Sequence, residues 1–361
     1  MRTDVLRLGL VGPLPPPNGG MAMQTLQLSR LLREQGLSVE LVQTNAPYRP
    51  RCVAGWRGLR ALFRLLPYLL RVWRLAGRSD VIHLMANSGW SWQLFAAPVL
   101  WLAPLRGTPV IVNYRGGEAR DYLAASARWV KPSLARAASL VVPSGFLQQV
   151  FGEHGVSSRV IPNIIDLQTF SPAQGGAPDG AFRLVITRNL EQIYGLDTAL
   201  RALAIASEEL PGLQLHIAGS GPLLEPLQSL ARELGVAQQV HFVGRLERDE
   251  VVALYRDAGA MLNPARVDNM PNSVLEALAC GLPVISTDVG GVPFIVEDGR
   301  TALLVPVDDP QAMARAILRL CADAPLRESL RSNGREEVRQ YAWERVGAQW
   351  LELYRQCGEA A

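Results

Sequence analysis

The chain has 361 residues, of which 48% are hydrophobic, and a formal net charge of +3 at pH 7. That length favours two domains over one core, and the near-balanced charge excludes the basic excess of a nucleic-acid binder. Lys131 is the single lysine in the sequence, which excludes a Schiff-base lysine for pyridoxal phosphate anywhere beyond it. Cys52, Cys280, Cys321 and Cys357 are far apart, with no CxxC pair and no histidine cluster. Reduced thiols are expected rather than a disulfide framework or a zinc site.

The opening "MRTDVLRLGLVG" goes straight into a strand, with Asp4 and no small-residue cleavage pattern, so no secretion signal is expected. Strands "LRLGLVG" (6–12) and "LSVELVQT" (37–44) flank a helix near 21–35, and the turn "PLPPPNGGM" (13–21) joins the first strand to that helix. The stretch 56–78 carries six arginines and no acid; at helical spacing Arg57, Arg60, Arg64, Arg71, Arg74 and Arg78 form a stripe, with Pro67 expected to break the helix in two. Strands "DVIHLM", "PVIVNY" and "SLVVPS" follow. "LFAAPVLWLAPL" (94–105) is too short and proline-broken to span a bilayer and reads as a buried helix. His83 lies in an apolar strand and reads as a core histidine.

After "SPAQGGAPDGA" (171–181), a Gly/Pro-rich linker, the alternation restarts. "FRLVIT", "LQLHIAG", "QVHFVG", "GAMLNP", "LPVIST" and "ALLVP" are strands with helical sequence between them. Two halves of this kind predict two doubly wound parallel sheets, with a ligand cleft at the carboxyl ends of their strands. The expected divisions are a domain over 1–168, a linker over 169–181, a second domain over 182–340 and a terminal helix over 341–361 that returns to the first domain.

"ARVDNMPNSVLEALACGLPVISTDVGG" (265–291) carries the chemistry. Asp268 lies in the loop before the helix "NSVLEALAC", and Glu276 lies more than a turn inside it, with seven residues between them. The amides of Met270, Asn272, Ser273 and Val274 stand at the helix start, where a phosphate or diphosphate is favoured. Taken singly, Asp268 and Glu276 read more readily as a loop charge and a helix-surface charge, and Cys280 as a small core residue.

With "VIPNIID" (160–166), "LHIAGSGP" (215–222), "VHFVGRL" (240–246) and "YAWERVGAQWLELY" (341–354), this stretch resembles the family-4 retaining glycosyltransferases of GT-B fold, two Rossmann-like domains facing a central cleft. The resemblance implies that Glu276 accepts hydrogen bonds from the nucleotide ribose. Asp268 would hold donor-sugar hydroxyls with the amides of Asn269 and Met270. Arg188 and the helix start at Asn272, Ser273 and Val274 would take the diphosphate, and the strand end at Val243, Gly244 and Arg245 would meet the base. Gly19 and Gly20 would admit the phosphates closely. Asn18, Asn113, Tyr114 and Arg115 are implied on the acceptor side, and Arg188, Asp268 and Arg115 in catalysis. Three positions depart from the family pattern: Asp268 replaces Glu, Tyr194 replaces the Lys that partners Arg188, and Arg115 replaces a His. Arg266 is then a candidate to assist Arg188.

The implied activity is transfer of a sugar from a nucleotide diphosphate sugar to an acceptor hydroxyl, without metal or other cofactor. The acceptor expected is a lipid-linked or envelope glycan, in polysaccharide biosynthesis, with a cytoplasmic enzyme resting peripherally on an anionic membrane through 56–78. No nucleic-acid partner is expected. The alternatives are a nucleotide-sugar epimerase or hydrolase on the same fold, or a non-catalytic partner that binds a glycan or another transferase.

Overall fold

The computed structural model describes residues 6–16, 19–47, 59–173 and 182–359, with only the backbone given for 59–62. Most of the linker "SPAQGGAPDGA", Asn18, Cys52 and Arg57 therefore lie outside the described residues, as does the side chain of Arg60. The chain divides into two units, residues 1–164 with 343–361, and residues 165–342.

Unit 1 holds six parallel strands: β1 (Arg7–Gly12), β2 (Ser38–Gln43), β3 (Val81–Ala86), β4 (Val110–Tyr114), β5 (Ser139–Val142) and β6 (Arg159–Val160). Their order is β2-β1-β3-β4-β5-β6. Every residue of β3 and β4 is buried, as a parallel sheet covered on both faces requires. One face is covered by α2 (Leu59–Ala76), α3 (Ala97–Leu102), α4 (Ala119–Leu134) and α5 (Gly145–Glu153). The other is covered by α1 (Gly20–Glu34) and by the C-terminal helix α12 (Trp343–Glu359), whose Val346, Trp350, Leu353 and Tyr354 pack on Leu8, Leu10 and Ile111.

Two local expectations are corrected. α2 runs unbroken through Pro67, because Tyr68, Val72, Leu75 and Ala76 anchor it in the core and hold the turns beyond the proline in place. The stretch 94–105 is not one buried helix. A π-turn (Trp92–Ala96), α3 and a 3-10 turn (Pro104–Arg106) succeed one another, with Val99, Leu100 and Ala103 inside and Trp101 and Leu105 outside.

Unit 2 holds β7 (Arg183–Thr187), β8 (Gln214–Ala218), β9 (Val240–Gly244), β10 (Ala260–Asn263), β11 (Val284–Thr287) and β12 (Leu303–Val305), in the order β12-β11-β10-β7-β8-β9. Around this sheet lie α6 (Leu196–Glu209), α7 (Leu224–Glu233), α8 (Arg248–Arg256), α9 (Asn272–Ala279), α10 (Pro310–Ala322) and α11 (Ala324–Val338). α6, α7 and α10 share one core, and α8 and α9 another. The unit's two ends lie side by side: Ile165 bridges Ala342, and the Ile165 amide donates to the Tyr341 carbonyl at 3.0 Å. Among the described residues no helix is long and apolar enough to cross a membrane.

Candidate functional site

In unit 2 the strand order reverses between β7 and β10, both hydrogen-bonded to each other and leading to opposite neighbours. A doubly wound sheet binds ligands beyond the carboxyl ends of its strands at such a point. β7 ends at Thr187 and delivers Arg188; β10 ends at Asn263 and leads to Asp268 and α9. The Arg188 guanidinium donates from Nε and Nη2 to Asn263 Oδ1 at 3.2 and 2.9 Å, and Nη2 also pairs with Asp268 Oδ2. Asn263 is oriented by its own Nδ2, which donates to Ser286 Oγ of β11 at 2.9 Å. The Tyr194 ring lies 5.1 Å from the guanidinium carbon, so a π-face rather than a second cation stands beside Arg188. Gly219 closes this turn: its φ is +153°, and a Cβ there would run into the Arg188 carbonyl.

Asp268 is nearly buried and has both oxygens engaged, one by Arg188 and the other by the Asn269 amide at 2.9 Å. The Asn269 amide is thus committed to its neighbour's carboxylate, a short loop contact that spacing alone did not reveal. In α9 the first helical bond runs from the Leu275 amide to the Pro271 carbonyl at 3.3 Å, so Ser273 and Val274 sit ahead of it in the first turn. Ser273 Oγ is buried and has no hydrogen-bond partner among the described residues. The side chains of Met270 and Val274 belong to the core, leaving only their backbone for a ligand.

Glu276 is half-buried one turn further on. Burial pushes its carboxyl up to about 7, against the pull of Arg248, Tyr255 and Arg188. The Tyr255 hydroxyl, from α8, lies 3.4 Å from Glu276 Oε2 and also contacts Thr187 Oγ1. Arg248 is held by Asp166 at 3.0 Å. Val243, Gly244 and Arg245 lie at the end of β9 and are tied to the Arg188 turn: Arg245 Nε donates to Ser220 Oγ at 2.6 Å, and the Ser220 carbonyl accepts from the Leu190 amide at 3.1 Å. Arg266 is paired elsewhere, not at the Arg188 site. Asp197 and Asp308 bind it at 2.8 and 2.7 Å, and these carboxylates absorb its charge. Cys280 is a core thiol, pushed up to about 12 by burial.

The remaining sequence candidates belong to unit 1. Gly19 caps α1 with φ −94°, a value open to any residue, and a Cβ there would meet nothing within 4 Å. Gly20 is the first residue of the helix. Arg115 follows β4; its Nε donates to Asn113 Oδ1 at 3.2 Å and its Nη1 to Asn163 Oδ1. Asn113 Nδ2 lies 3.0 Å from His83 Nε2, and His83 Nδ1 lies 2.7 Å from the Tyr354 hydroxyl of α12. An amide nitrogen can only donate, so His83 accepts at Nε2 and carries its proton on Nδ1. Burial, then the Arg115 charge, brings its basicity down to about 3, and it stays neutral in the core. Asn113 and Tyr114 are fully buried in unit 1. Both faces of β4 are covered, Asn113 works behind Arg115, and Tyr114 packs edge-on to Phe151 at 4.9 Å with its hydroxyl on Ser88 at 2.6 Å.

Two family models cover almost the whole chain: "Glycosyltransferase Family 4" matches residues 18–169 and "Glycosyl transferases group 1" matches residues 168–337. The chain belongs to family 4 of the GT-B glycosyltransferases. A relative of this family-4 chain, the D-inositol 3-phosphate glycosyltransferase of Corynebacterium urealyticum, is 29% identical over 227 residues, 58% of this chain and 53% of that protein. The chain thus spans about half the length of the relatives it matches in this way. Two solved structures share its fold. Sucrose-phosphate synthase from Thermosynechococcus elongatus superposes with a TM-score of 0.79 at 23% identity, over 99% of this chain and 100% of that one. Anabaena HepE in complex with UDP gives 0.78 at 17%, over 98% and 100%. In the family-4 chain, Asn263, Tyr255 and Arg248 are the supporting residues that sequence reasoning missed. Each reaches the site across many residues of chain, and only Asn263 carried a signal, as the polar end of an apolar strand.

Proposed function

We propose that the chain transfers a hexose or related sugar from a nucleotide diphosphate sugar to an acceptor hydroxyl, with retention of anomeric configuration. The observation that carries this reading is the buried, unpartnered Ser273 hydroxyl in the first turn of α9, at the switch point that also holds Arg188 and Glu276. An anionic group there would satisfy the hydroxyl, meet the helix start and lie beside a guanidinium. Glu276 takes the ribose hydroxyls, the first turn of α9 and Arg188 the diphosphate, and Val243, Gly244 and Arg245 the base. That HepE, of the same fold, was solved with UDP supports a nucleoside diphosphate as the ligand.

Arg188 and the helix start supply the counter-charge that a divalent cation would otherwise give to the leaving diphosphate. Asp268, with both oxygens already accepting hydrogen bonds, aims Arg188 and reaches the donor sugar rather than attacking it. Retention then proceeds by front-face displacement within an ion pair. The acceptor is a lipid-linked or envelope glycan precursor met at the cytoplasmic face of a membrane, in polysaccharide biosynthesis. A panel of UDP- and GDP-sugars, with release of nucleotide and of free or transferred sugar measured, tests the reading. Transfer with retention is expected. Epimerised donor without transfer, or binding without any turnover, would refute it.

A further inference from the structure

α2 does not present the ordinary polar back of a surface helix. Tyr68, Val72, Leu75 and Ala76 enter the core, yet Leu66 and Leu70 are each 59% exposed and Trp73 stands outward between Arg71 and Arg74. The same character continues along the layer, in which α2 touches α3 and α3 touches α4. Trp101 is 46% exposed, Leu105 70% and Trp129 65%. Arginines join these helices at their edges. Arg106 stands over the Trp73 ring at 4.9 Å, Arg136 over Trp101 at 3.7 Å, and Arg128 over Trp129 at 5.1 Å.

Counter-charge is missing from α2 and α3, and the acids of α4, Glu118 and Asp121, stand at its start, away from Trp129. Between 59 and 117 the sequence has one acidic residue, Asp80, and Arg7 binds it at 3.1 Å. Among the described residues, Arg106, Arg128 and Arg136 form no ion pair with a carboxylate. Tryptophan rings with arginines over them, and few acids among them, suit a plane of phosphate headgroups above acyl chains. A second copy of the chain fits worse, since it would set arginine against arginine.

We propose that unit 1 docks on an anionic bilayer through a surface shared by α2, α3 and α4, with Trp73, Trp101, Leu105 and Trp129 entering the interface and the arginines meeting lipid phosphates. Such docking serves the lipid-linked acceptor and rests on that part of the proposed function, but its physics needs no catalysis.

Co-sedimentation of the full chain with vesicles tests it, using phosphatidylcholine alone and phosphatidylcholine with about one-quarter phosphatidylglycerol. Binding to the anionic vesicles alone is expected, weakening as salt is raised. Trp101→Ala with Trp129→Ala, both far from α2 in sequence, should lower partitioning by about tenfold, as should Arg71→Glu with Arg74→Glu. Donor turnover in solution should stay unchanged in both. Wild-type binding retained by the tryptophan variant would overturn the three-helix surface in favour of α2 alone. Equal or absent binding to the two vesicles, or self-association removed by the same substitutions, would overturn membrane docking altogether. Should a variant unfold, the salt and lipid dependence of the wild type still decides. Vesicle binding in a chain that turns over no nucleotide sugar would instead sink the transferase reading and leave the docking intact.

Discussion

Glu276 is the residue whose chemistry depends most on where the fold puts it. Its carboxyl titrates at about 7 because burial penalises the anion more than Arg248, Tyr255 and Arg188 favour it. An ionised carboxylate accepts hydrogen bonds at both oxygens, so UDP affinity should rise as pH passes upward through about 7. Binding isotherms from acid to mild alkali should show that rise, and Glu276→Gln should flatten it; a flat wild-type profile would remove Glu276 from the ribose. The same shift has a stability consequence of opposite sign. The fold keeps a proton that the unfolded chain releases near 4.5, so this stabilisation is full below 4.5 and lost as pH rises through about 7. Tyr255→Phe withdraws a hydroxyl that favours the anion, and the midpoint of the UDP profile should move up. Glu276→Ala and Arg188→Ala should each lower donor turnover more than tenfold, about 1.5–3 kcal/mol, with the melting curve showing a folded protein.

Among the elements, α9 carries the donor prediction. Its unpartnered Ser273 hydroxyl costs stability in the free protein, because a buried polar atom without a partner has lost water for nothing. Ser273→Ala should therefore leave the melting temperature unchanged or slightly raised, while weakening UDP several-fold. A lowered melting temperature with unchanged affinity would make Ser273 a structural residue only. α2 gives a prediction of another kind. Pro67 is exposed in the interior of a continuous helix and lacks an amide for the carbonyl one turn back, so Pro67→Ala should stabilise the protein by about 1–3 kcal/mol in thermal unfolding. The element pattern was legible because both sheets are parallel and their central strands, β3, β4, β7, β10 and β11, are short, largely apolar runs bounded by turns. The motifs around Asp268 and Glu276 were legible because α9 is local. Other features were not, for a common reason. Arg266 meets Asp197 and Asp308, Asn113 meets His83, and Tyr255 meets Glu276, all through pairings that sheet order decides and spacing does not record. Pro67 misled because helix propensity was outweighed by the packing of the turns beyond it.

At the scale of the whole molecule, the proposed counter-charge on the diphosphate comes from protein groups, so donor turnover is expected to survive saturating EDTA. Loss of turnover in EDTA, restored by Mg²⁺ or Mn²⁺, would contradict that. Unit 1 gathers its core from both ends of the sequence, with the His83–Tyr354 hydrogen bond and Trp350 closing its far side. Tyr354→Phe strands the His83 Nδ1 proton and should lower the melting temperature, with little effect on UDP affinity if the donor contacts lie in unit 2.

The adjacency of Ile165 and Ala342 bears on how the protein is made. Unit 2 begins and ends at one place, so it reads as a cassette set into the coding order of unit 1. During synthesis the five longer strands of the first sheet emerge early, yet the face they present to α12 stays bare until translation has passed through all of unit 2. Leu8, Leu10 and Ile111 then await Trp350 and Tyr354 for the time it takes to make about two hundred residues, some 10–40 s at ordinary elongation rates. The cassette needs nothing that is made after Ala342. A chain ended just before Trp343 and released from the ribosome should accordingly show a protease-resistant unit 2 beside a protease-sensitive first half.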